Sequence, residues 1–400
     1  MPRSIAVPLG LYYVASFAAF GFYLPYMPAW LEARGFVGPA MSALAMLLPA
    51  MAIVMPPVFG MIADALGLRS GLLRVACGGA ALAFGVLALA AGHLSPLPFA
   101  VTFCCFALFA AFRAAMSGLA DVIALENARH YGRLRLWGSV GFLGSAWLGG
   151  HLVDPRDPVL LPACVAGGLA VSFFVARLLP KSSALPPRPA PAEARRLLTE
   201  RSYRWLLLVI FLAIGAHSAY DLCVTLRFQA LGASGGFIGT AWALGTAAEI
   251  VLMATLAPHI QRLGAARLVV LATAAGVLRW TLLASVTSLP LLMLLQPLHA
   301  LSFGLLWVSA LAVLKERAAG SGLATAQGLF SASMATGSTL GMSVWGPIYA
   351  SSGGEGVFGG AALVACGATI AALLLLRSLR VEGPLGVAGP TDPDGAAARS

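Results

Sequence analysis

The chain has 400 residues and a net charge of +10, yet only 10% of its residues are charged and 60% are hydrophobic. Soluble domains carry about 25% charged residues, so these proportions exclude a soluble enzyme, and the basic excess does not read as a nucleic-acid-binding surface. Most side chains must face lipid.

The apolar runs are about 20 residues long, and ~10-residue alternating segments of the barrel type do not occur, so the spans are expected to be helices. In chain order they are expected at 6–31, 39–63, 71–92, 96–125, 132–153 and 157–178. After a break they resume at 203–229, 235–258, 265–285, 288–314, 323–350 and 354–378. This predicts an all-α membrane protein with twelve transmembrane helices. The 45 glycines and 25 prolines suit that setting, because small residues let helices pack closely and neighbours satisfy freed backbone groups. The first run is expected to be a retained span, since no small-residue cleavage site ends it. Cys77, Cys104, Cys105, Cys164, Cys223 and Cys366 all lie within apolar runs, where packing is the expected role. No cofactor or metal is expected.

The break at 180–202 (PKSSALPPRPAPAEARRLLTERS) is Pro-rich, then basic and helix-forming. It divides the chain into an N-terminal six-helix half, 1–179, and a C-terminal six-helix half, 203–380. The segment 381–400 reads as a disordered tail. With twelve spans, 20 Lys and Arg fall on the side of the N-terminus and only Arg34 and Arg156 on the other. The positive-inside rule places both termini and the linker in the cytoplasm. The halves echo each other at an offset of 197 residues: Tyr23 falls on Tyr220, Gly35 on Gly232 and Gly67 on Gly264.

The loop after the second span reads Gly60-Met-Ile-Ala-Asp64-Ala-Leu-Gly67-Leu-Arg69. It resembles the G-x3-D-(R/K)-x-G-x-R signature of the major facilitator superfamily, with Ala65 in place of the basic residue. Gly60 is expected at a close helix contact, Gly67 in a tight turn, Asp64 capping or pairing at a helix end, and Arg69 on the cytoplasmic surface. The equivalent loop of the second half keeps only Gly264. The start of span 5, Tyr131-Gly-Arg-Leu-Arg-Leu-Trp137-Gly138-Ser-Val-Gly141-Phe, is similar to an element of the nucleoside:proton symporter and phenylpropionate permease families. Gly215-Ala-His217-Ser-Ala-Tyr220, Ala248-Glu249, Arg279-Trp280 and Gln296-Pro-Leu-His299 extend the likeness, most closely to the phenylpropionate permeases. Both families resemble the lactose permease group of proton symporters, which has a Glu, an Arg and a His where this chain has Glu249, Arg279 and His299. The lactose-type Glu three residues after that His is Ser302 here, and the Lys three before it is Gln296, so that group's proton relay does not transfer whole.

Ionisable groups in lipid are costly and mark function. Those within spans are Arg113, Asp121, His217, Asp221, Arg227, Glu249, Arg279 and His299. Helical spacing puts Arg113, Ser117 and Asp121 on one face, and likewise His217 with Asp221 and Gln296 with His299. Glu249 is the expected proton carrier, with His299 beside it and Asp221 as the alternative. Substrate contact is expected from Arg279, His217, Arg113, Asp121, Tyr23 and Gln296. Glu249 and Arg279 read as functional groups rather than as a purely structural pair, Asp221 is a candidate to neutralise Arg279 or Arg227, and Asp121 and Arg227 lie close enough to span ends to snorkel or cap. For most of Tyr13, Tyr23, Tyr26, Trp30, Tyr220, Trp242 and Trp280, packing in lipid or the interface belt is expected.

A proton-coupled symporter for a small organic solute, monomeric and in a bacterial inner membrane, is the function these residues favour. The resemblance alone points to an aromatic acid. An exporter is the alternative, weakened because span 5 has no Pro between Trp137 and Val153. A membrane-embedded enzyme would need a nucleophile–base or metal pattern, and a His-Glu-x-x-His or Walker loop is lacking. A sensor would leave the intramembrane charges without a use.

Overall fold

The computed structural model describes residues 3–127, 131–153, 158–180, 191–318 and 323–382. The described residues form helices and no strands. In lipid each backbone N–H and C=O must be paired within its own segment, which a helix achieves. The helices are α1 (Arg3–Ala33), α2 (Pro39–Ala45), α3 (Leu47–Leu66), α4 (Arg69–His93), α5 (Phe99–Asn127), α6 (Tyr131–Leu152) and α7 (Leu161–Ala176). After the break come α8 (Pro191–Thr199), α9 (Arg201–Ala230), α10 (Gly235–Leu263) and α11 (Ala265–Ser285). They are followed by α12 (Leu289–Leu294), a π-helical segment (Ala300–Leu305), α13 (Leu306–Arg317) and α14 (Leu323–Glu382).

Eight of these are long and apolar enough to cross a membrane. Helix α14 is broken at Gly353, whose φ of 62° leaves the helical region, where the sequence places the boundary between two spans. With α6, α7 and the α12–α13 run, the elements are consistent with twelve crossings. Helix α8 lies in the basic part of the linker, as its sequence predicts. Residues 181–190 of the linker and the tail from 383 lie outside the described residues.

The tenth expected span departs from a continuous helix. Pro297 has no N–H to give the ladder. Around it the backbone runs on short i→i−3 bonds, from Gln296 N to Met293 O, Leu298 N to Leu295 O and His299 N to Gln296 O. The π-helical segment begins at the next residue. Widened turns of this kind gather at functional sites, and here the irregular stretch carries Gln296 and His299.

The internal echo is visible in the backbone. Gly35 and Gly232 have φ of 80° and 81°, a left-handed conformation that costs a side chain about 1–2 kcal/mol. Each closes its helix with the same pair of bonds: Gly35 N to Glu32 O with Phe36 N to Leu31 O, and Gly232 N to Gln229 O with Ala233 N to Phe228 O.

Helix α1 packs on α6 and α7, α4 on α5 and α7, and α3 on α5; beyond the break α9 and α11 pack on α14, and α10 on the π-helical segment. The groups meet where α6 crosses α10, where α2 and α3 meet α14, and where α1 meets α9. Gly150 faces the backbone of Gly235 and Gly239 with no room for a methyl group. Ser42 donates to Met342 O (2.7 Å) and Thr225 to Pro25 O (2.6 Å). These close contacts lie toward the end opposite the linker. One apolar core runs through both groups, whereas the second group keeps a separate core of its own at the linker end.

Candidate functional site

Helix α9 sets the first wall. His217, Tyr220 and Asp221 sit within one turn or so, the spacing that brings side chains to one face. His217 Nε2 is 3.6 Å from Asp221 Oδ1. Tyr220 donates its hydroxyl to Gln296 Oε1 (2.8 Å), and Gln296 Nε2 donates to Leu292 O (2.7 Å). The side-chain amide therefore ties the irregular stretch at Pro297 to α9.

Helix α11 supplies Arg279, which is 1% exposed. Its guanidinium lies over the rings of Tyr220 (4.2 Å) and Trp280 (4.6 Å), contacts that favour a desolvated cation. Nη1 donates to Ser302 Oγ (3.1 Å), and Nη2 is buried with no hydrogen-bond partner. Glu249 and Arg279 do not form an ion pair with each other. Glu249 Oε2 lies 3.2 Å from His299 Nε2 instead, because the break at Pro297 turns His299 toward α10. Ser302, standing where a lactose-type permease has its acid, gives Arg279 a neutral acceptor only.

The two imidazoles are neighbours, with ring centres 5.3 Å apart, and Phe303 packs on both. Beside His217 is a small cavity lined by His217, Thr273, Gly276, Trp280, Ser302 and Phe303, with room for about one water.

The first half contributes a second polar cluster. Arg113 donates to Ser117 Oγ (3.1 Å) and lies over Phe20 (5.1 Å). Tyr13 donates to Asp121 Oδ1 (2.7 Å), so Asp121 is held by a hydroxyl rather than snorkelling freely. Arg135, counted with the loop cations from sequence, is instead half-buried in α6 and stacked on Phe17 at 4.1 Å. It also lies within electrostatic reach of Glu249 across the two groups. Sequence reading missed it because its neighbour Arg133 marks the same stretch as a basic helix start. The side chain of Arg133 lies outside the described residues.

Other expected site residues fall elsewhere. Tyr23 packs among Phe20, Phe84, Phe106 and Phe109, away from the Arg279 group. Arg227 caps, donating from Nη2 to Ala284 O (2.9 Å) and Val286 O (3.1 Å) at the end of α11. All seven aromatic residues assigned mostly to lipid or interface packing are buried instead; Tyr13, Tyr26, Tyr220 and Trp242 hydrogen-bond inside the bundle, as Tyr26 does at Ala146 O. At the signature loop, Gly67 ends α3 with φ of 63°. Arg69 is buried and paired with Glu126 (2.5 Å) rather than spread on the surface. Gly60 has open space beside it, not the expected close contact, and lines a cavity of about 180 Å³ between α3 and α5. The side chain of Asp64 lies outside the described residues.

A bundle of apolar helices enclosing buried cations and acids is the build of a membrane transporter, and the fold is that of the major facilitator transporters. The crystal structure of the nucleoside transporter NupG matches with a TM-score of 0.76 at 15% identity, over 94% of this chain and 99% of that one. A bacterial homologue of the human lysosomal transporter Spinster, in an inward-facing and unoccupied conformation, matches with a TM-score of 0.71 at 12% identity, over 97% of this chain and all of the other. The chain belongs to the MFS_1 like family, which matches residues 7–359, and it spans less than two thirds of the length of the curated relatives it matches. It is 31% identical over 239 residues to a probable 3-phenylpropionic acid transporter of Escherichia coli (strain K12), spanning 59% of this chain and 62% of that protein. It is 29% identical over 233 residues to the maltose permease of Geobacillus stearothermophilus, over 56% of this chain and 58% of that one.

Proposed function

We propose that the protein takes up a small organic acid together with a proton, by alternating access between the halves 1–179 and 203–380. Arg279 carries this reading. A guanidinium buried in lipid needs a counter-charge, yet no carboxylate of the described residues lies within ion-pair distance and Nη2 has no partner. A planar guanidinium suits a carboxylate, to which it can donate two bonds. Tyr220 and Trp280 around it favour a substrate with an aromatic body, in keeping with the name of the Escherichia coli relative. His217, Gln296, Arg113 and Asp121 line or brace the same path; Tyr23 is a packing residue in this scheme.

Glu249 carries the proton. Protonated, it favours loading from outside; once the site opens to the cytoplasm and is wetted, the proton leaves and the acid follows. His299 orients the carboxyl from 3.2 Å. The setting is a bacterial inner membrane with the linker and both termini cytoplasmic, as the distribution of Lys and Arg indicates, and a monomer contains every residue the scheme uses.

Labelled 3-phenylpropionate counterflow in liposomes tests the reading. Exchange of label against a preloaded unlabelled pool, with proton uptake when an inward gradient is imposed, is the expected result. Counterflow without proton movement would leave a uniporter, and no counterflow with any aromatic acid would remove the substrate class.

A further inference from the structure

Asp221 and Glu249 stand on different helices, and each has a histidine against it. His217 Nε2 faces Asp221 Oδ1 at 3.6 Å, and His299 Nε2 faces Glu249 Oε2 at 3.2 Å. Each ring therefore keeps Nδ1 for another contact. The Nδ1 of His299 is buried and has no hydrogen-bond partner, and the His217 ring is its neighbour, centre to centre 5.3 Å. The depths of the two acids differ. At about 1.5 Å per residue, Asp221 lies about 13 Å from the end of α9 opposite the linker, and Glu249 about 21 Å from the start of α10 at that same end. The four groups thus form a series along the bundle, acid, imidazole, imidazole, acid.

We propose that Asp221 and Glu249 are the outer and inner stations of one proton, joined through His217 and His299. The inference rests on reading Glu249 as the carrier. The series starts with Asp221 protonated, Glu249 ionised, His217 protonated on Nδ1 and His299 protonated on Nε2. Asp221 gives its proton to His217 Nε2, His217 passes the one on Nδ1 to His299 Nδ1, and His299 passes the one on Nε2 to Glu249 Oε2. Each ring gains one N–H and loses the other, so one proton has moved between carboxylates and no ring retains charge. The gap between rings closes by a small rocking of His299, which the irregular backbone at Pro297 allows. Both rings end in the opposite tautomer and must rotate before the next transfer, which limits a cycle to one proton.

The charged and titratable groups facing this series are Tyr220 on α9, Arg279 on α11 and Arg135 on α6. Arg279 acts on Asp221 and on both rings, and Arg135 on Glu249. Phe303 covers the two rings and limits stray water.

The test is time-resolved infrared spectroscopy of the protonated carboxyl band, on the full chain in liposomes without substrate. Glu249→Gln identifies the Glu249 band. When the outer face of the chain, oriented in liposomes, is acidified, that band is expected to grow at least about tenfold more slowly in Asp221→Asn than in the wild type. His217→Gln and His299→Gln should each slow its growth by a similar factor. Growth at the wild-type rate in the Asp221 variant or in either histidine variant would mean that the proton reaches Glu249 by another route and would overturn the series. A missing Glu249 band would instead remove Glu249 as carrier. Band growth is read in the same samples as the thermal melt, so a variant that unfolds is seen as such, and the second histidine variant decides.

Discussion

Arg279 combines full burial, two aromatic faces and one unpartnered nitrogen. Lysine keeps the charge but loses both the fork and the stacking. A charge-assisted hydrogen bond contributes about 1.5–3 kcal/mol, so Arg279→Lys should lower uptake of labelled 3-phenylpropionate by roughly tenfold or more at unchanged protein abundance. Normal uptake by Arg279→Ala would take the residue out of the site. Glu249→Gln mimics the protonated acid and should keep counterflow while losing pH-driven accumulation. If the variant still concentrates solute, the carrier is Asp221. These residues were legible in the sequence because ionisable groups within apolar runs are few. Their pairing was not. Residues 249, 279 and 299 lie on three separate elements, and the acceptor for each depends on where the break at Pro297 sends His299. Arg135 was hidden by the same limit: a cation at the first turn of a span reads as a loop residue until the aromatic ring that receives it, Phe17, is placed against it.

The tenth span owes its use to Pro297. An alanine there would restore a backbone donor and favour regular helix, turning Gln296 and His299 away from Tyr220 and Glu249. Pro297→Ala should keep membrane abundance near wild type and cut transport several-fold, with Tyr220→Phe showing a smaller loss because it breaks only the Gln296 contact. Transport equal to wild type in Pro297→Ala would show that the break has no part in the site. The Gln-Pro-Leu-His run was visible as a motif, but spacing alone did not say that the helix would open there. The repeat was more legible. The 197-residue offset places Gly35 on Gly232, and both close their helices by the same bonds. Gly35→Ala and Gly232→Ala should therefore cost similar stability, about 1–2 kcal/mol each, read as matching losses in thermal melting. Unequal losses would mean that the two turns only look alike.

On the scale of the whole molecule, the helices before and after the linker meet away from it, and the proposed alternating access requires that meeting to come apart. A cysteine placed at any position in 180–202 should react only with reagents supplied from the cytoplasm; reaction from outside would reverse the topology. Leucine at Gly150 would wedge α6 from α10, so Gly150→Leu should raise the reactivity of a cysteine near Gly236 toward an external reagent. The all-helical membrane character was legible in the hydropathy, whereas the seam was not, because close backbone approach depends on which glycine meets which. The seam's composition sets how it responds to its surroundings. Among the described residues its close contacts include glycine backbone and the Ser42 and Thr225 hydroxyls on carbonyl oxygens. Such contacts have no net charge to screen. Ions in the outer medium should leave the closed population where it is, so external labelling of the same reporter cysteine should stay constant from low to high salt, whereas a latch held by ion pairs would loosen as the Debye length shrinks.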